Sequence, residues 1–116
     1  HKLSNLVVFV DNNKRQLDGD INDIQASFDL QKKFESFGFQ SLPVDGGNVE
    51  AICLVIEQAI ATNDRPTAII LDTEKGQGMQ SVVSISANHH LRLDDNLRAA
   101  IEADIALLDA KIEELK

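Results

Sequence analysis

Two stretches of this chain carry side chains able to do chemistry. The first is Val10-Asp11-Asn12-Asn13-Lys14-Arg15-Gln16-Leu17-Asp18-Gly19, whose asparagine amides and free backbone carbonyls are hard oxygen donors suited to Mg²⁺ or Ca²⁺. Its spacing excludes an EF-hand, which would need glycine where Gln16 stands and a glutamate near Asn22. A tight turn built by two asparagines, which tolerate left-handed backbone geometry, would use the same residues without a metal. The second stretch runs from Asp72 to His90 and holds Lys75-Gly76-Gln77-Gly78 and the pair His89-His90. Imidazoles donate to phosphate oxygens and move protons near neutrality. A surface pair or an incidental metal site would show the same two letters. The glycines lack the G-x-x-x-x-G-K-[ST] pattern of a phosphate loop and read as a flexible turn. No serine sits in a G-x-S-x-G elbow, and Cys53 falls mid-helix without a neighbouring histidine, so nucleophilic catalysis lacks a player. Glu102, Asp104, Asp109, Glu113 and Glu114 read as the solvated face of a helix.

Rigid elements must hold these loops. Asn5 to Val10 is a β-branched and aromatic run that stops at the polar stretch, and reads as a buried strand. Leu30, Phe34 and Phe37 recur at i, i+4 and i+7 between Ser27 and Gly38, which predicts a short amphipathic helix closed by glycine. Phe39 to Val44 is strand-like but contains Pro43, which places it at the periphery, and Asp45-Gly46-Gly47 turns the chain. Asn48 caps a helix whose Ile52, Val55, Ile56, Ala59 and Ile60 share a face, and Asp64-Arg65-Pro66 ends it. Thr67 to Leu71 is uniformly apolar, the mark of a strand buried on both faces of a parallel sheet. Beyond Asp94, Leu97, Ile101, Ile105, Leu108, Ile112 and Leu115 lie on one side of a long final helix. The order predicts an α/β fold: a parallel sheet with helices on both faces and right-handed crossovers. Ligands in such sheets sit beyond the carboxyl ends of the strands, where both polar loops emerge.

Composition bounds the rest. With 116 residues, 11 Lys+Arg against 19 Asp+Glu and 43% hydrophobic residues, the chain reads as one globular domain over residues 1–116 with a net charge of −8. A domain of this size buries roughly two thirds of its unfolded surface. Its acidity repels phosphate backbones, and the absence of Trp and Tyr removes stacking platforms, which argues against nucleic acid. Uninterrupted apolar runs such as Leu6 to Val10 fall far short of the ~20 residues of a membrane span. One cysteine and no secretory pattern fit a reducing cytoplasm.

The strand followed by Asp11-x-Asn13-Lys14-x-x-Leu17-Asp18-Gly19 resembles the second half of the thiamine diphosphate motif of transketolases. Three further pieces follow in that family's order: Phe34-Glu35-Ser36-Phe37-Gly38-Phe39 with Val44-Asp45-Gly46, then Arg65 to Thr73 running into Lys75-Gly76-Gln77-Gly78, then Asn88-His89-His90-Leu91. Together they resemble the N-terminal subunit of a split bacterial transketolase, and specifically its later portion. The resemblance implies thiamine diphosphate held through a divalent cation, Mg²⁺ or another such as Ca²⁺. By residue match, Asn13 and the main-chain oxygen of Arg15 are metal ligands, Leu17 packs near the thiazolium ring, and His89 is the catalytic histidine beside diphosphate and donor sugar. His90 takes that place if the register is off by one. The Gly-Asp-Gly that supplies the remaining protein ligand in the family is not in this sequence. After Gly78 the family's Phe-containing stretch is replaced by Met79-Gln80-Ser81-Val82-Val83, so the resemblance does not carry over the loop's substrate contacts. The implied reaction transfers a two-carbon ketol unit from a ketose phosphate to an aldose phosphate. A C-terminal transketolase subunit and a homo-oligomeric assembly are the implied partners. Another thiamine diphosphate reaction, or a noncatalytic α/β interaction module, are the alternatives.

Overall fold

The structure is a computed structural model describing residues 3–26, 28–86 and 88–116. Along the chain lie β1 (Val7–Asn12), a short hairpin of β2 (Arg15–Gln16) and β3 (Gly19–Asp20), α1 (Ile21–Ile24), α2 (Leu30–Ser36), β4 (Gln40–Asp45), α3 (Val49–Ala61), β5 (Thr67–Asp72), α4 (Gln80–Val83) and α5 (Asp95–Glu114). β1, β5 and β4 form a parallel sheet in that order, with Val10 and Pro43 flanking Ile70. β5 is central, and Thr67, Ala68, Ile69 and Ile70 are all buried. A strand covered on both faces has no polar side to show, hence its unbroken apolar sequence. β4 lies at an edge, where Pro43 is tolerated.

From β1 the chain passes over β5 to β4, then returns to β5. α2 and α3 lie on opposite faces of this sheet, the arrangement that right-handed crossovers in opposite directions would give. On the α3 face, Val44, Ala59 and Ile69 are buried under Ile52, Val55 and Ile56. On the other, Leu30 at the start of α2 shares a hollow with Pro43 and Ile70.

The helix ends follow from local chemistry. Asp29, Asn48 and Asp94 each accept a backbone N–H of the first turn, from Lys32, Ala51 and Leu97 at 3.1, 2.9 and 2.8 Å. Gly38, at φ +84°, closes α2: its N–H donates to Glu35 O at 2.9 Å and the Phe39 N–H to Phe34 O at 3.1 Å. The Phe34 and Phe39 rings meet edge to face at 5.4 Å, completing a Schellman closure with its apolar contact.

Several expectations need correction. Phe37 is not on a buried face: α2 stops at Ser36 and Phe37, at the C-cap, is 82% exposed. Ile60 points outward, because Ile52, Val55, Ile56 and Ala59 already span the stripe that meets the sheet. β1 is an edge strand rather than a doubly covered one, and Phe9 is half exposed. The loop from Asp11 to Asp20 is largely the β2–β3 hairpin. Asp104 is half-buried and holds α4: its carboxylate accepts the Ser81 N–H at 2.8 Å and the Ser81 hydroxyl at 2.5 Å. Ser27, where the sequence opens α2, lies outside the described residues.

Candidate functional site at the carboxyl edge of the sheet

All three parallel strands end on acidic residues or reach them within a step: Asp11 and Asn12 on β1, Asp45 on β4, Asp72 on β5. Their carboxylates are spent on building loops. Asp11 Oδ1 accepts the Thr73 hydroxyl, and Oδ2 accepts Asn13 Nδ2 at 3.1 Å. Asp72 pairs with Lys14, whose ammonium also donates to Asn12 O at 2.7 Å. Asp45 Oδ1 accepts the Gly47 N–H at 2.8 Å. Gly46 is required by close approach: its N–H meets Asp72 O at 2.9 Å, and a Cβ there would lie 2.2 Å from the Thr73 methyl.

Asn13 sits at the tip of this edge. Its Oδ1 accepts the Arg15 N–H at 3.0 Å, an Asx turn, while Lys14 takes the left-handed conformation at φ +65°. The amide therefore builds the turn that the sequence allows for. An amide oxygen carries two lone pairs, so one remains for a cation. Asn13 also lines an open cleft of about 480 Å³ with Asp11, Gly46, Thr73, Lys75 and Gln77. Among the described residues, no group of three or more His, Cys, Asp and Glu could cage a metal. The donor set, an amide oxygen and backbone carbonyls, thus suits a cation that takes most of its shell from phosphate and water.

His89 reaches the same edge through Lys75, whose Nζ lies 3.0 Å from His89 Nδ1. Asn88 Nδ2 donates to Lys75 O at 3.1 Å and Val82 O at 3.3 Å, tying the histidine loop to the glycine loop. Gly76 is left-handed at φ +87°, and a Cβ there would press on Val82 at 2.9 Å, so this turn is packed rather than merely flexible. The rings of His89 and His90 meet edge to face at 4.7 Å. The Arg15 guanidinium reaches across to Ser86 O at 2.6 Å. Leu17, at the hairpin tip, is 55% exposed. Neither Leu17 nor His89 lines the cleft that holds Asn13. Lys75, Thr73 and the Arg15 side chain make contacts at this edge that sequence reasoning missed. They join residues 14 to 71 positions apart, and only the β1–β5 register, Asp11 beside Leu71, could have foretold one of them.

The parallel sheet gathers an asparagine turn, a glycine loop and a histidine loop at its carboxyl edge, the place where open α/β sheets bind ligands, and comparison with known proteins gives the family. Residues 1–106 match the family described as transketolase, thiamine diphosphate binding domain, and the chain belongs to that family. The 6-deoxy-6-sulfo-D-fructose transketolase subunit SqwG of Clostridium sp. (strain MSTE9) is 32% identical over 104 residues, covering 90% of this chain and 38% of that protein. The transketolase of Geobacillus stearothermophilus is 37% identical over 89 residues, 76% of this chain and 13% of that one. A crystal structure of transketolase from Campylobacter jejuni subsp. jejuni NCTC 11168 superimposes with a TM-score of 0.75 at 27% identity, over 90% of this chain and 16% of the other. The chain spans less than two fifths of the length of either curated relative.

Proposed function

We propose that this chain supplies the later half of the thiamine diphosphate site of a split-type transketolase. The observation that carries the reading is the meeting of Asn13 with the Lys75–His89 loops at the carboxyl edge of the sheet. In this reading Asn13 Oδ1 and the Arg15 main-chain oxygen would hold the divalent cation, Mg²⁺ or Ca²⁺, that accompanies thiamine diphosphate. Leu17, exposed at the hairpin tip, would supply apolar packing for the thiazolium ring. His89 donates to phosphate oxygens or donor hydroxyls and moves protons near neutrality. When bound, thiamine diphosphate supplies the electron sink for breaking and remaking a carbon–carbon bond; the protein contributes position and electrostatics. The substrates are a ketose phosphate donor and an aldose phosphate acceptor. The partner is a C-terminal transketolase subunit, which the relatives named as transketolase subunits support; the assembly in this reading is homo-oligomeric and cytoplasmic.

The 116 residues contain no Gly-Asp-Gly, so by themselves they are expected to show no turnover and little thermal shift with thiamine diphosphate and Mg²⁺. The decisive experiment exchanges the matching segment of the G. stearothermophilus transketolase for this chain. Ketol transfer in a coupled assay should survive the exchange and be lost on Asn13→Ala. A folded chimera with no turnover beside an active parent would leave a noncatalytic α/β module as the better description.

A further inference from the structure

Arg15 is bound to two loops at once. Its backbone N–H belongs to the Asn13 turn, while its half-buried side chain crosses to the segment beyond α4, with Nη1 2.6 Å from Ser86 O and 3.4 Å from Ile85 O. A single guanidinium nitrogen, with its two hydrogens, serves both successive carbonyls from the end of a long side chain. Three residues beyond Ser86 stands His89, whose Nδ1 faces the Lys75 ammonium. An ammonium has donors only, so Nδ1 must accept, and the ring proton of neutral His89 sits on Nε2. Asn88 fastens the same segment from the other side, through Lys75 O and Val82 O. The glycine loop and the histidine loop are therefore bonded to each other, and the Arg15 side chain ties the pair to the hairpin.

We propose that Arg15 is a positioning residue: its guanidinium braces the backbone at Ile85 and Ser86, and thereby keeps His89 in its Nε2–H form against Lys75. That Asn13 and His89 serve one site rests on the function proposed above; the brace stands without it. The side chain of Arg15 thus orders the histidine loop, while its main chain belongs to the asparagine turn.

The test uses the isotope-labelled 116-residue chain without cofactor, following amide exchange at Ile85, whose N–H donates to Val82 O at 3.1 Å, the backbone order parameters of Ser86, Asn88 and His89, and the ring nitrogens of His89. In Arg15→Leu the Ile85 amide should exchange roughly tenfold faster, the cost of losing a charge-assisted hydrogen bond, and the order parameters of Ser86, Asn88 and His89 should fall, with Ile69 and Ile70 unchanged. The His89 ring signals should move from one tautomer toward an average of two. Arg15→Lys, which keeps the charge on a shorter side chain, should recover only part of both effects. Wild-type exchange and wild-type ring signals in Arg15→Leu would overturn the brace. If Arg15→Leu does not fold, Arg15→Lys decides alone: intermediate loosening at Ile85 and Ser86 supports the proposal and wild-type behaviour refutes it. Failure of the transketolase chimera, by contrast, would count against the proposed function and leave the brace untouched.

Discussion

At the scale of single residues, the carboxyl edge is built from side chains that bind one another before they bind anything else. Asp11, Asn13 and Thr73 form one hydrogen-bonded chain, and Lys14 with Asp72 another. This places oxygen donors with little freedom to reorganise, which is how a site keeps its geometry before a ligand arrives. Gly46 is where the arrangement is least forgiving. Gly46→Ala would drive a methyl into Thr73 and toward Asp72 O, with expected destabilisation of about 1–3 kcal/mol by urea unfolding. Thr73→Ser removes the obstructing methyl but keeps the hydroxyl for Asp11, so the double variant should recover part of that loss. Strict additivity of the two changes would show that the methyl contact is not the cause.

Individual elements are secured by their ends. α2 is only seven residues long, yet it has an aspartate cap at one end and a glycine closure with a Phe34–Phe39 contact at the other. α4 is four residues long and leans on α5 through Asp104. The Ser81 hydroxyl, and after it the Ser81 N–H, hold the Asp104 carboxyl below the ordinary carboxylate range. A carboxylate whose folded value is depressed stabilises the protein above its unfolded value and loses that contribution as pH falls through the folded one. Asp104→Ala should therefore be less stable than wild type near neutrality, and the gap should close below about pH 4. A gap that persists undiminished into strong acid would mean that packing, not the charge, ties α4 to α5.

As a whole molecule the chain is flat and open. It measures 52 × 42 × 17 Å with a radius of gyration of 17.7 Å, against about 13 Å for a compact domain of this length. Its surface of 8455 Å² exceeds the roughly 6,300 Å² of a compact monomer of this mass, so it buries a little over half of its unfolded surface rather than two thirds. The excess is apolar: Phe37, Leu54, Ile60, Leu107 and Leu115 are each more than 60% exposed. In the function proposed above, the rest of the thiamine diphosphate-binding domain or a partner subunit would cover this surface. Phe37→Lys and Leu54→Lys should lower self-association in sedimentation while shifting stability by no more than about 0.5 kcal/mol. A large loss of stability in either would place that side chain in the fold's own core.

The main elements and their order, β1, α2, β4, α3, β5 and α5, could be read from the residues, because caps, glycine closures and hydrophobic period act over a few positions; the β2–β3 hairpin, α1 and α4, only two to four residues each, left no such pattern. Asn48 before α3, Gly38 after α2 and the unbroken apolar run of β5 each state their role locally. The asparagine turn was legible for the same reason, and the family likeness supplied Asn13, Arg15, Leu17 and His89 as candidates. Which contacts those residues make was decided in three dimensions. The reach of Arg15 to Ser86, the pairing of Lys75 with His89, the capture of Ser81 by Asp104 and the exposure of Phe9 all depend on strand register and on what each face is packed against. Such contacts join distant positions whose residue types alone carry no record of one another, so only the assembled chain brings them within bonding distance.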